Sequence, residues 1–335
     1  MTELDSTDSG TRPIATIDIG TNSIHLLVVR ATVVPGQSPS GPTKLEVIER
    51  RRDMARLGHS ASGAMKELSD EAIERGVTSL RRMKRITDSH GATIRAVATS
   101  AVREASNRDI FVERVRAATG IEVEVISGEH EARLIYLGAG TAVREIAEQR
   151  CVLIDVGGGS TEVVLGNRGT VELARSMRLG AVRLTDRYFL DGVVTPESIA
   201  MCAQTIDDTI GDLGTIVASF APTLTLASSG TAETLTRIAQ RATGSAIHPG
   251  FSACELDTIL AELVARPTAG ERATIAGLDA ERADIIVAGA LVLQRFAHRS
   301  AIARWRFSPG ALRDGLVVDT LNTNQPGLAS PIQLE

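Results

Sequence analysis

The sequence is poor in aromatic residues and in cysteine. Aromatic residues make up 3% of the 335 residues, so Ala, Val, Ile and Leu must build the core. That composition is typical of α/β folds, in which many strands are buried on both faces. Cys151, Cys202 and Cys254 lie far apart and form no CxxC pair, which argues against a disulfide framework or a zinc site.

Long apolar runs and excess positive charge are also missing. The chain has no stretch of about 18 apolar residues, and residues 1–10 are polar and acidic, so we expect neither a membrane span nor a signal peptide. These absences favour a cytoplasmic protein. The net charge of −5 disfavours a general DNA binder. An anionic ligand would therefore need positive charge that is concentrated in a cleft.

Several common catalytic motifs are absent as well. The chain has no GxxxxGK[ST], which excludes a P-loop NTPase. Ser160 stands in GGSTE, which lacks the last glycine of a GxSxG nucleophile elbow. Gly138 and Gly140 form GxG without a third glycine, and we expect them only to allow close packing. The six histidines show neither HExxH nor HxH spacing, which argues against a histidine-ligated metal.

Strand-like and helical patterns alternate along the chain. Apolar residues recur at helical spacing over 70–87, and Thr195 and Pro196 are typical of the start of another helix. The apolar runs 151–157 and 160–166 predict a hairpin. The alternation predicts mixed and parallel sheets covered by helices, and the length suits two domains.

Two segments of the sequence match each other. Residues 18–28 read DIGTNSIHLLV, and residues 155–165 read DVGGGSTEVVL. The aligned pairs include Asp18 with Asp155, Gly20 with Gly157 and Ser23 with Ser160. An apolar, strand-like stretch precedes each copy. Their separation suits a duplicated domain rather than a solenoid repeat.

Each copy predicts a strand that ends in an aspartate and continues into a turn of small residues. Small residues with access to positive φ let successive backbone N–H groups point into one concavity, which binds phosphate oxygens. The aspartate beside the turn can bind a divalent cation or orient a water. A plain β-hairpin uses similar residues, but two copies with aspartates in register favour a phosphate site.

These motifs together resemble one enzyme family. The DIGTNS turn, SGEHEARL, DVGGGSTE, ASSGT and ALRDGL are similar to the ordered motifs of the exopolyphosphatase and guanosine-pentaphosphate phosphatase (Ppx/GppA) family, over nearly the whole chain. The resemblance implies an α/β fold on the two-lobed actin, hexokinase and Hsp70 scaffold, with duplicated ribonuclease-H-like domains and mixed sheets. It also implies hydrolysis of terminal phosphoanhydrides with Mg²⁺, or alternatively Mn²⁺, in the cleft between the lobes. Longer members carry an extra C-terminal helical region, and this chain resembles the short form.

The resemblance also implies roles for single residues. Glu131, in SGEHEARL, would activate the attacking water, and Asp155, Glu162 and Asp18 would bind the metal. Many relatives have two adjacent glutamates where this chain has His130 and Glu131, and the glutamate before Ala-Arg is retained. The implied phosphate-binding residues are Asn22, Ser23, Arg103, Gly157, Gly158, Gly159, Ser160, Ser229, Gly230, Thr231 and Arg282.

The expected organisation has four parts. They are a disordered tail at 1–12, a first lobe at 13–134, a second lobe at 135–320 whose last helix can pack back on the first, and a flexible tail at 321–335. Each lobe is expected to be ribonuclease-H-like and to carry one phosphate turn. The Pro-, Gly- and Ser-rich segment 35–43 predicts a long hairpin loop in the first lobe.

Three functions fit these expectations to different degrees. The first is an exopolyphosphatase that releases orthophosphate from the end of inorganic polyphosphate. A guanosine pentaphosphate 5′-phosphatase would use the same groups, and a kinase or phosphotransferase on the same scaffold is a second alternative, although no sugar-binding segment is recognisable. A non-enzymatic sensor is disfavoured because no acidic residue or arginine of the site is missing. The sequence leaves a homodimer open.

Overall fold

The computed structural model describes residues 12–33, 43–59, 66–244, 249–324 and 333–334. The predicted tail at 1–12 and the predicted loop at 35–43 lie outside the described residues, except for Arg12 and Thr43. The predicted tail at 321–335 is described only at 321–324 and 333–334.

Two six-stranded sheets organise these described ranges. The strands of the first sheet are β1 (Ile14–Ile19), β2 (Ile24–Val33), β3 (Thr43–Asp53), β4 (Thr93–Ala98), β5 (Val123–Val125) and β12 (Gln333–Leu334). The strands of the second sheet are β6 (Arg150–Val156), β7 (Thr161–Asn167), β8 (Thr170–Met177), β9 (Leu224–Ser228), β10 (Gly250–Ser252) and β11 (Arg304–Phe307).

Helices cover the sheets and link them. The α-helices are α1 (Asp70–Ser89), α2 (Ser100–Glu104), α3 (Arg108–Thr119), α4 (Gly128–Ala142), α5 (Ala181–Tyr188), α6 (Pro196–Ile210), α7 (Leu213–Phe220), α8 (Ser229–Thr243), α9 (Ala253–Val264), α10 (Ala269–Arg272), α11 (Ile286–Ser300) and α12 (Leu312–Asn324). Short 3-10 helices occupy Arg144–Ala147, Leu190–Gly192 and Ala280–Arg282.

The two sheets repeat one topology. In the first, β1 pairs antiparallel with β2 and parallel with β4, and β2 pairs antiparallel with β3. In the second, β6 pairs antiparallel with β7 and parallel with β9, and β7 pairs antiparallel with β8. This repeat confirms the predicted fold class, an α/β scaffold of duplicated ribonuclease-H-like units with mixed sheets. It also confirms the hairpin predicted for 151–157 and 160–166.

Local sequence signals set the helix ends. The Ser69 side chain caps α1 by accepting from the Ala72 amide, and the apolar residues at helical spacing, including Ile73 and Leu80, are buried. Thr195 caps α6 with Pro196 at its first position, as the sequence predicts. Each lobe has its own apolar core between its sheet and these helices.

Helices α4 and α12 pack backbone to backbone between the two sheets. A Cβ on Gly138 would lie 2.0 Å from the carbonyl oxygen of Ala311, and one on Gly315 would lie 1.8 Å from that of Leu134. Gly138 thus allows close packing as predicted. Gly140 does not, because a Cβ there would meet nothing within 4 Å.

The same two helices bear on the predicted lobe boundaries. The boundary at residue 134 falls inside α4 and stays a prediction. Helix α12 contacts β1 and β2 of the first sheet as well as α4. Residues 321–324, which the sequence analysis assigns to a flexible tail, form the last turn of α12, because Leu321 is buried in the same apolar cluster as Val317.

Candidate active site

A cleft of about 460 Å³ separates the two sheets at the ends of β1 and β6. Both predicted turns line it, and so do Asp18, Glu131 and Asp155. The cleft-lining residues that the sequence also assigns to phosphate binding are Asn22, Ser23, Gly157, Gly158, Gly159, Ser160, Ser229, Gly230, Thr231 and Arg282. Arg103 and Glu162 are not part of this lining and lie behind it.

The two turns close in the same way. The Gly20 amide donates to the Ser23 carbonyl over 3.1 Å, and the Gly157 amide donates to the Ser160 carbonyl over 3.0 Å. Both glycines fit tightly: an added Cβ at Gly20 would lie 2.9 Å from the Ser23 carbonyl oxygen, so something would have to shift, and one at Gly157 would lie 3.1 Å from the Ser160 carbonyl oxygen, which is a close contact. The sequence repeat is therefore a repeat of backbone conformation.

Amide groups outside each turn hold its carbonyls. The Thr21 and Asn22 carbonyls accept from the amides of Gly58 and Arg56, at 3.0 and 2.8 Å. Within the described residues, the amides of Thr21, Asn22 and Ser23 donate to no backbone carbonyl of a turn or loop. That arrangement is a nest for anions.

The second turn is held by the N-terminus of α5. The Ala181 amide donates to the Gly157 carbonyl, and the Val182 amide to the Gly158 carbonyl, each over 2.9 Å. Within the described chain, the amides of Gly158, Gly159 and Ser160 donate to no backbone carbonyl. Phosphate oxygens would satisfy these donors.

The two turns touch each other at the floor of the cleft. A Cβ on Gly158 would lie 3.0 Å from the Cβ of Thr21, and one on Gly159 would lie 2.5 Å from the Ser100 hydroxyl. Only glycine lets the second turn approach the first this closely. Both turns therefore border the same cleft.

Four carboxyl groups lie at this junction, and burial is the main cause that raises the pKa of each. Burial and the charges of Glu131 and Asp155 raise the pKa of Asp18 to about 8, against the lowering effect of Arg313. Burial raises the pKa of Asp155 to about 6. Burial, then Glu131 and Asp155, hold the pKa of Glu162 well above its ordinary value. Such a concentration of carboxyls is typical of a site built for a cation or for proton transfer.

Glu131 is the carboxylate best placed to handle a proton. It lies in the first turn of α4, is 6% exposed and lines the cleft. Arg103 donates to its Oε2 over 2.7 Å and also to the carbonyl of Ile126 over 3.1 Å. Burial raises the pKa of Glu131 to about 7 although Arg103 lowers it. A carboxyl with that pKa is an effective general base near neutral pH.

Hydroxyl groups orient the two carboxylates of the second lobe. The Ser228 hydroxyl donates to Asp155 over 2.5 Å, and the Ser176 hydroxyl donates to Glu162 over 2.7 Å. Ser229, the next residue after Ser228, has a φ of 72°, which is unusual for a residue with a side chain. Ser228 and Ser176 fall outside the predicted site. Each serine is distant in sequence from the carboxylate it contacts, so no local sequence pattern points to it.

A divalent cation fits the donor chemistry of the site. The described residues hold no group of three or more His, Cys, Asp or Glu side chains that could bind a metal by themselves. Mg²⁺ often takes one or two carboxylates and completes its shell with water and substrate phosphate. Asp18 and Asp155, facing the cleft beside anion-binding turns, suit that mode, and Glu162 would act from behind. Their role as ligands stays a prediction.

Some polar atoms in the cleft wall have no partner. Both polar atoms of the Asn22 side chain, the Thr21 hydroxyl and Nε of Arg282 are buried without a hydrogen bond among the described residues. The Arg282 side chain is 8% exposed and lies against Gly230, where an added Cβ would be 2.0 Å from its Cζ. A buried, unpaired polar atom costs free energy, which a bound ligand can recover.

The structure adds basic residues that the sequence analysis missed. Arg50, Arg51, Arg52 and Arg313 line the cleft with Arg282. Three successive arginines in a strand are visible in the sequence, but only the fold shows that this strand borders the cleft. The acidic chain thus concentrates positive charge locally, as an anionic ligand requires.

Ion pairs cross between the lobes around the cleft. Arg52 of β3 contacts Asp279 at 3.0 Å and Glu281 at 2.9 Å. Glu104 of α2 contacts Arg183 of α5 at 2.7 Å. Each of these pairs joins a residue of the first lobe to a residue of the second.

The chain is similar to known phosphatases over most of its length. The family model of the Ppx/GppA phosphatase family matches residues 36–324. An exopolyphosphatase 1 from Mycobacterium leprae is 33% identical over 94% of this chain and 91% of its own length. A guanosine-5′-triphosphate,3′-diphosphate pyrophosphatase from Pseudoalteromonas atlantica is 30% identical over 93% of this chain but 59% of its own length.

A solved structure supports the same relationship. The exopolyphosphatase from Cytophaga hutchinsonii superposes with a TM-score of 0.81 and 27% identity, over 93% of this chain and 98% of that one. No helix among the described residues is long and apolar enough to cross a membrane. The sequence-based prediction of a hydrolase is confirmed: the chain belongs to the Ppx/GppA phosphatase family.

Proposed function

We propose that this phosphatase removes the terminal phosphate of inorganic polyphosphate as orthophosphate. The observation that carries the proposal is the buried Glu131 carboxylate, with a pKa near 7, in a cleft lined by two anion-binding turns in contact. Phosphoryl transfer requires mainly positioning and charge neutralisation, and this arrangement supplies both.

The residues of the chain divide the work as follows. Amides of the two turns bind the terminal phosphate, and the guanidinium of Arg282 neutralises its charge. Arg103 holds one oxygen of Glu131, which leaves Oε1 to accept a proton from an attacking water. Mg²⁺ or Mn²⁺, when bound near Asp18 and Asp155, would supply further charge neutralisation at the phosphate.

The wall of the cleft favours a bare phosphate chain over a nucleotide. Arg50 and Arg52 lie two residues apart on one face of β3, as suits an anion of several successive phosphates. Arg51 points to the other face and pairs with Glu49. Among the described residues that line the cleft, Phe307 is the only aromatic side chain. A guanine base would have little aromatic surface on which to stack.

Guanosine pentaphosphate is the second candidate substrate. The relative from Pseudoalteromonas atlantica, whose name is that of a guanosine pentaphosphate pyrophosphatase, supports it. The catalytic groups would be the same, and Phe307 could contact the base. The predicted cytoplasmic location and the homodimer that the sequence leaves open stay predictions.

Substrate profiles test the proposal. Orthophosphate release should be measured in parallel on long polyphosphate, tripolyphosphate and guanosine pentaphosphate, with Mg²⁺ and with Mn²⁺, and with the Glu131→Gln variant as control. We expect the largest kcat/KM on polyphosphate and almost no turnover by the variant. A preference for the nucleotide would replace the first candidate by the second. Transfer of phosphate to added ADP, instead of release, would establish the phosphotransferase alternative.

A further inference from the structure

A chain of three polar side chains connects the first turn to helix α12. The Ser23 hydroxyl lies 2.8 Å from Nε2 of His25, and Nη1 of Arg313 lies 3.3 Å from Nδ1 of the same imidazole. The Thr16 hydroxyl donates to the Arg313 carbonyl over 3.0 Å, which fixes the backbone of that arginine against β1. All of Ser23, His25 and Arg313 line the cleft.

The chemistry of arginine determines which ring nitrogen of His25 carries a hydrogen. A guanidinium has donors and no acceptor, so Nδ1 of His25 must be the acceptor in its contact with Arg313. A neutral imidazole with an unprotonated Nδ1 carries its hydrogen on Nε2. Nε2–H then donates to the Ser23 oxygen, and the hydroxyl hydrogen of Ser23 is left for another acceptor.

The surroundings keep the imidazole neutral. Burial, followed by the charges of Arg313, Arg282 and Arg52, lowers the pKa of His25 to about 3. Asp18 of β1 lies directly opposite His25 of β2, and it is the acidic residue of β1 that is paired with β2. The hydrogen-bond geometry alone requires the Nε2–H form, and the neighbouring arginines favour it.

The corresponding serine of the second turn is oriented in the opposite way. Ser160 aligns with Ser23, and its hydroxyl hydrogen-bonds to Glu162, which aligns with His25. The hydrogen bond from Ser160 lowers the pKa of Glu162, which is the effect of a hydroxyl that donates to the carboxylate, so the Ser160 hydrogen points at Glu162. Of the two serines, only Ser23 has a hydrogen free for a ligand in the cleft.

We propose that His25 is a positioning residue, which, held by Arg313 in its Nε2–H form, turns the Ser23 hydroxyl hydrogen toward a phosphate oxygen of the substrate. The inference rests on the proposed function for the identity of the acceptor. It assigns His25 no proton transfer and no contact with the reacting atoms. The Ser23 hydroxyl, which could otherwise donate or accept, is held as a hydrogen-bond donor. Less conformational entropy is then lost when the substrate binds.

The first experiment examines the ring itself, without substrate. Long-range proton–nitrogen correlation NMR on protein labelled in histidine distinguishes the protonated ring nitrogen from the other one, and His25→Gln identifies the His25 signals. We expect a neutral imidazole protonated at Nε2 in the wild type, and a mixture of the two neutral forms in Arg313→Met. A wild-type ring protonated at Nδ1 would overturn the proposal, whether or not the protein hydrolyses phosphoanhydrides.

The second experiment is a double-mutant cycle on polyphosphate turnover. His25→Phe and Ser23→Ala should each lower kcat/KM by about 10-fold to 100-fold, as expected for a hydrogen bond to a charged group. The double variant should be no worse than Ser23→Ala, because His25 acts through that hydroxyl. Losses that multiply would overturn the proposal.

Matched control variants distinguish an activity loss caused by misfolding from one caused by the loss of a hydrogen-bond donor. His25→Gln retains an N–H near the position of Nε2 and should recover most of the activity lost in His25→Phe, whereas equal losses would contradict the positioning role. Ser160→Ala should cost less than Ser23→Ala. His298→Phe, which changes a histidine of α11 beside Asp257, controls for removal of an imidazole. Circular dichroism and cooperative unfolding report whether each variant folds.

Discussion

The turn after β1 and the turn after β6 close with the same glycine-to-serine hydrogen bond, yet the strands that follow them carry different side chains. In the first lobe His25 lies across from Asp18, whereas in the second Glu162 lies across from Asp155. The first position holds a neutral ring beside arginines. The second adds a carboxyl to those of its neighbours.

The difference shows which part of a duplicated site is fixed and which is free to change. An anion nest is made of backbone amides, so it depends on small turn residues more than on the side chains beside it. Both copies keep the nest, and the cross-strand partner determines what surrounds it. At this strand position the first lobe presents a donor beside positive charge, and the second presents an acceptor for a cation or a proton.

The largest expected effect comes from the general base, which lies outside both turns. Glu131→Gln should lower kcat by about 10²-fold to 10⁴-fold, because the amide cannot accept the proton of the attacking water. Binding of a polyphosphate chain, measured by calorimetry, should persist, since the two nests and their arginines are unchanged. A kcat near that of the wild type would falsify the assignment of Glu131 as general base.

The matched control is Glu129→Gln. Glu129 lies in the same first turn of α4 but is exposed. It shares the local helix environment of Glu131 and lacks its place in the cleft. Its kcat should stay within about twofold of the wild type, as for most surface substitutions.

The next largest effect tests the contact between the two turns. In Gly159→Ala the new methyl group would lie 2.5 Å from the Ser100 hydroxyl and 2.6 Å from that of Thr21, so one turn must shift. A displacement of about 1 Å in a positioning element can cost about 10²-fold in rate, and we expect a loss of kcat/KM of that order. Phosphate release from polyphosphate measures it.

A glycine elsewhere near the cleft provides the comparison. Gly140→Ala in α4 meets nothing within 4 Å and should stabilise the fold by about 0.5–1 kcal/mol through helix propensity, with normal activity. If Gly159→Ala behaved in the same way, the two turns would not need their close contact. Thermal unfolding and steady-state kinetics on both variants decide between these cases.

A smaller effect concerns Arg103, which the sequence assigns to phosphate and the structure pairs with Glu131. Arg103 lowers the pKa of Glu131, so Arg103→Met should raise that pKa and move the acidic limb of the kcat/KM profile to higher pH. If the pKa rises by one unit, kcat/KM should fall about 10-fold at pH values below the pKa and change little at pH values above it. A loss that is equal at every pH, and confined to KM, would instead support direct contact with the substrate. Arg103→Lys should shift the limb less.

The backbone of the site could be predicted from the sequence because it is encoded locally. A strand, an aspartate, a glycine and a serine recur in order at Asp18 and again at Asp155, and both copies fold alike. The same repeat aligns His25 with Glu162, which was a usable signal that this strand position is special.

The contacts between distant segments could not be predicted. Arg52 and Arg313 reach the cleft only because β3 and α12 flank β1 and β2, and nothing in their local sequence fixes that neighbourhood. The pairing of Arg103 with Glu131 likewise joins α2 to α4 across a strand. Long-range packing decides these partners, and a single sequence records only short-range pattern.

The smallest effect is on the free energy of unfolding, and its dependence on pH should differ between Asp18 and Asp155. Their pKa values in the folded protein, about 8 for Asp18 and about 6 for Asp155, lie above the ordinary value of 3.8. Each carboxyl therefore favours folding most below pH 3.8 and loses that contribution as the pH rises through its folded pKa. Asp18→Asn and Asp155→Asn remove the penalty, so both should be more stable than the wild type at alkaline pH, by about 1–3 kcal/mol.

The shapes of the two curves carry the comparison further. Without metal or substrate, the gain of Asp155→Asn should stop growing above about pH 6, whereas that of Asp18→Asn should grow until about pH 8, since the ionised wild-type group is penalised until its folded pKa is passed. Urea unfolding at a series of pH values measures both, with the exposed Asp109→Asn as control. Identical curves would mean that the two lobes hold their aspartates in equivalent surroundings. A higher plateau for Asp18→Asn would show that the ionised Asp18 carboxylate destabilises the folded protein more than the ionised Asp155 carboxylate does. A cation bound at Asp18 would then relieve most of that destabilisation.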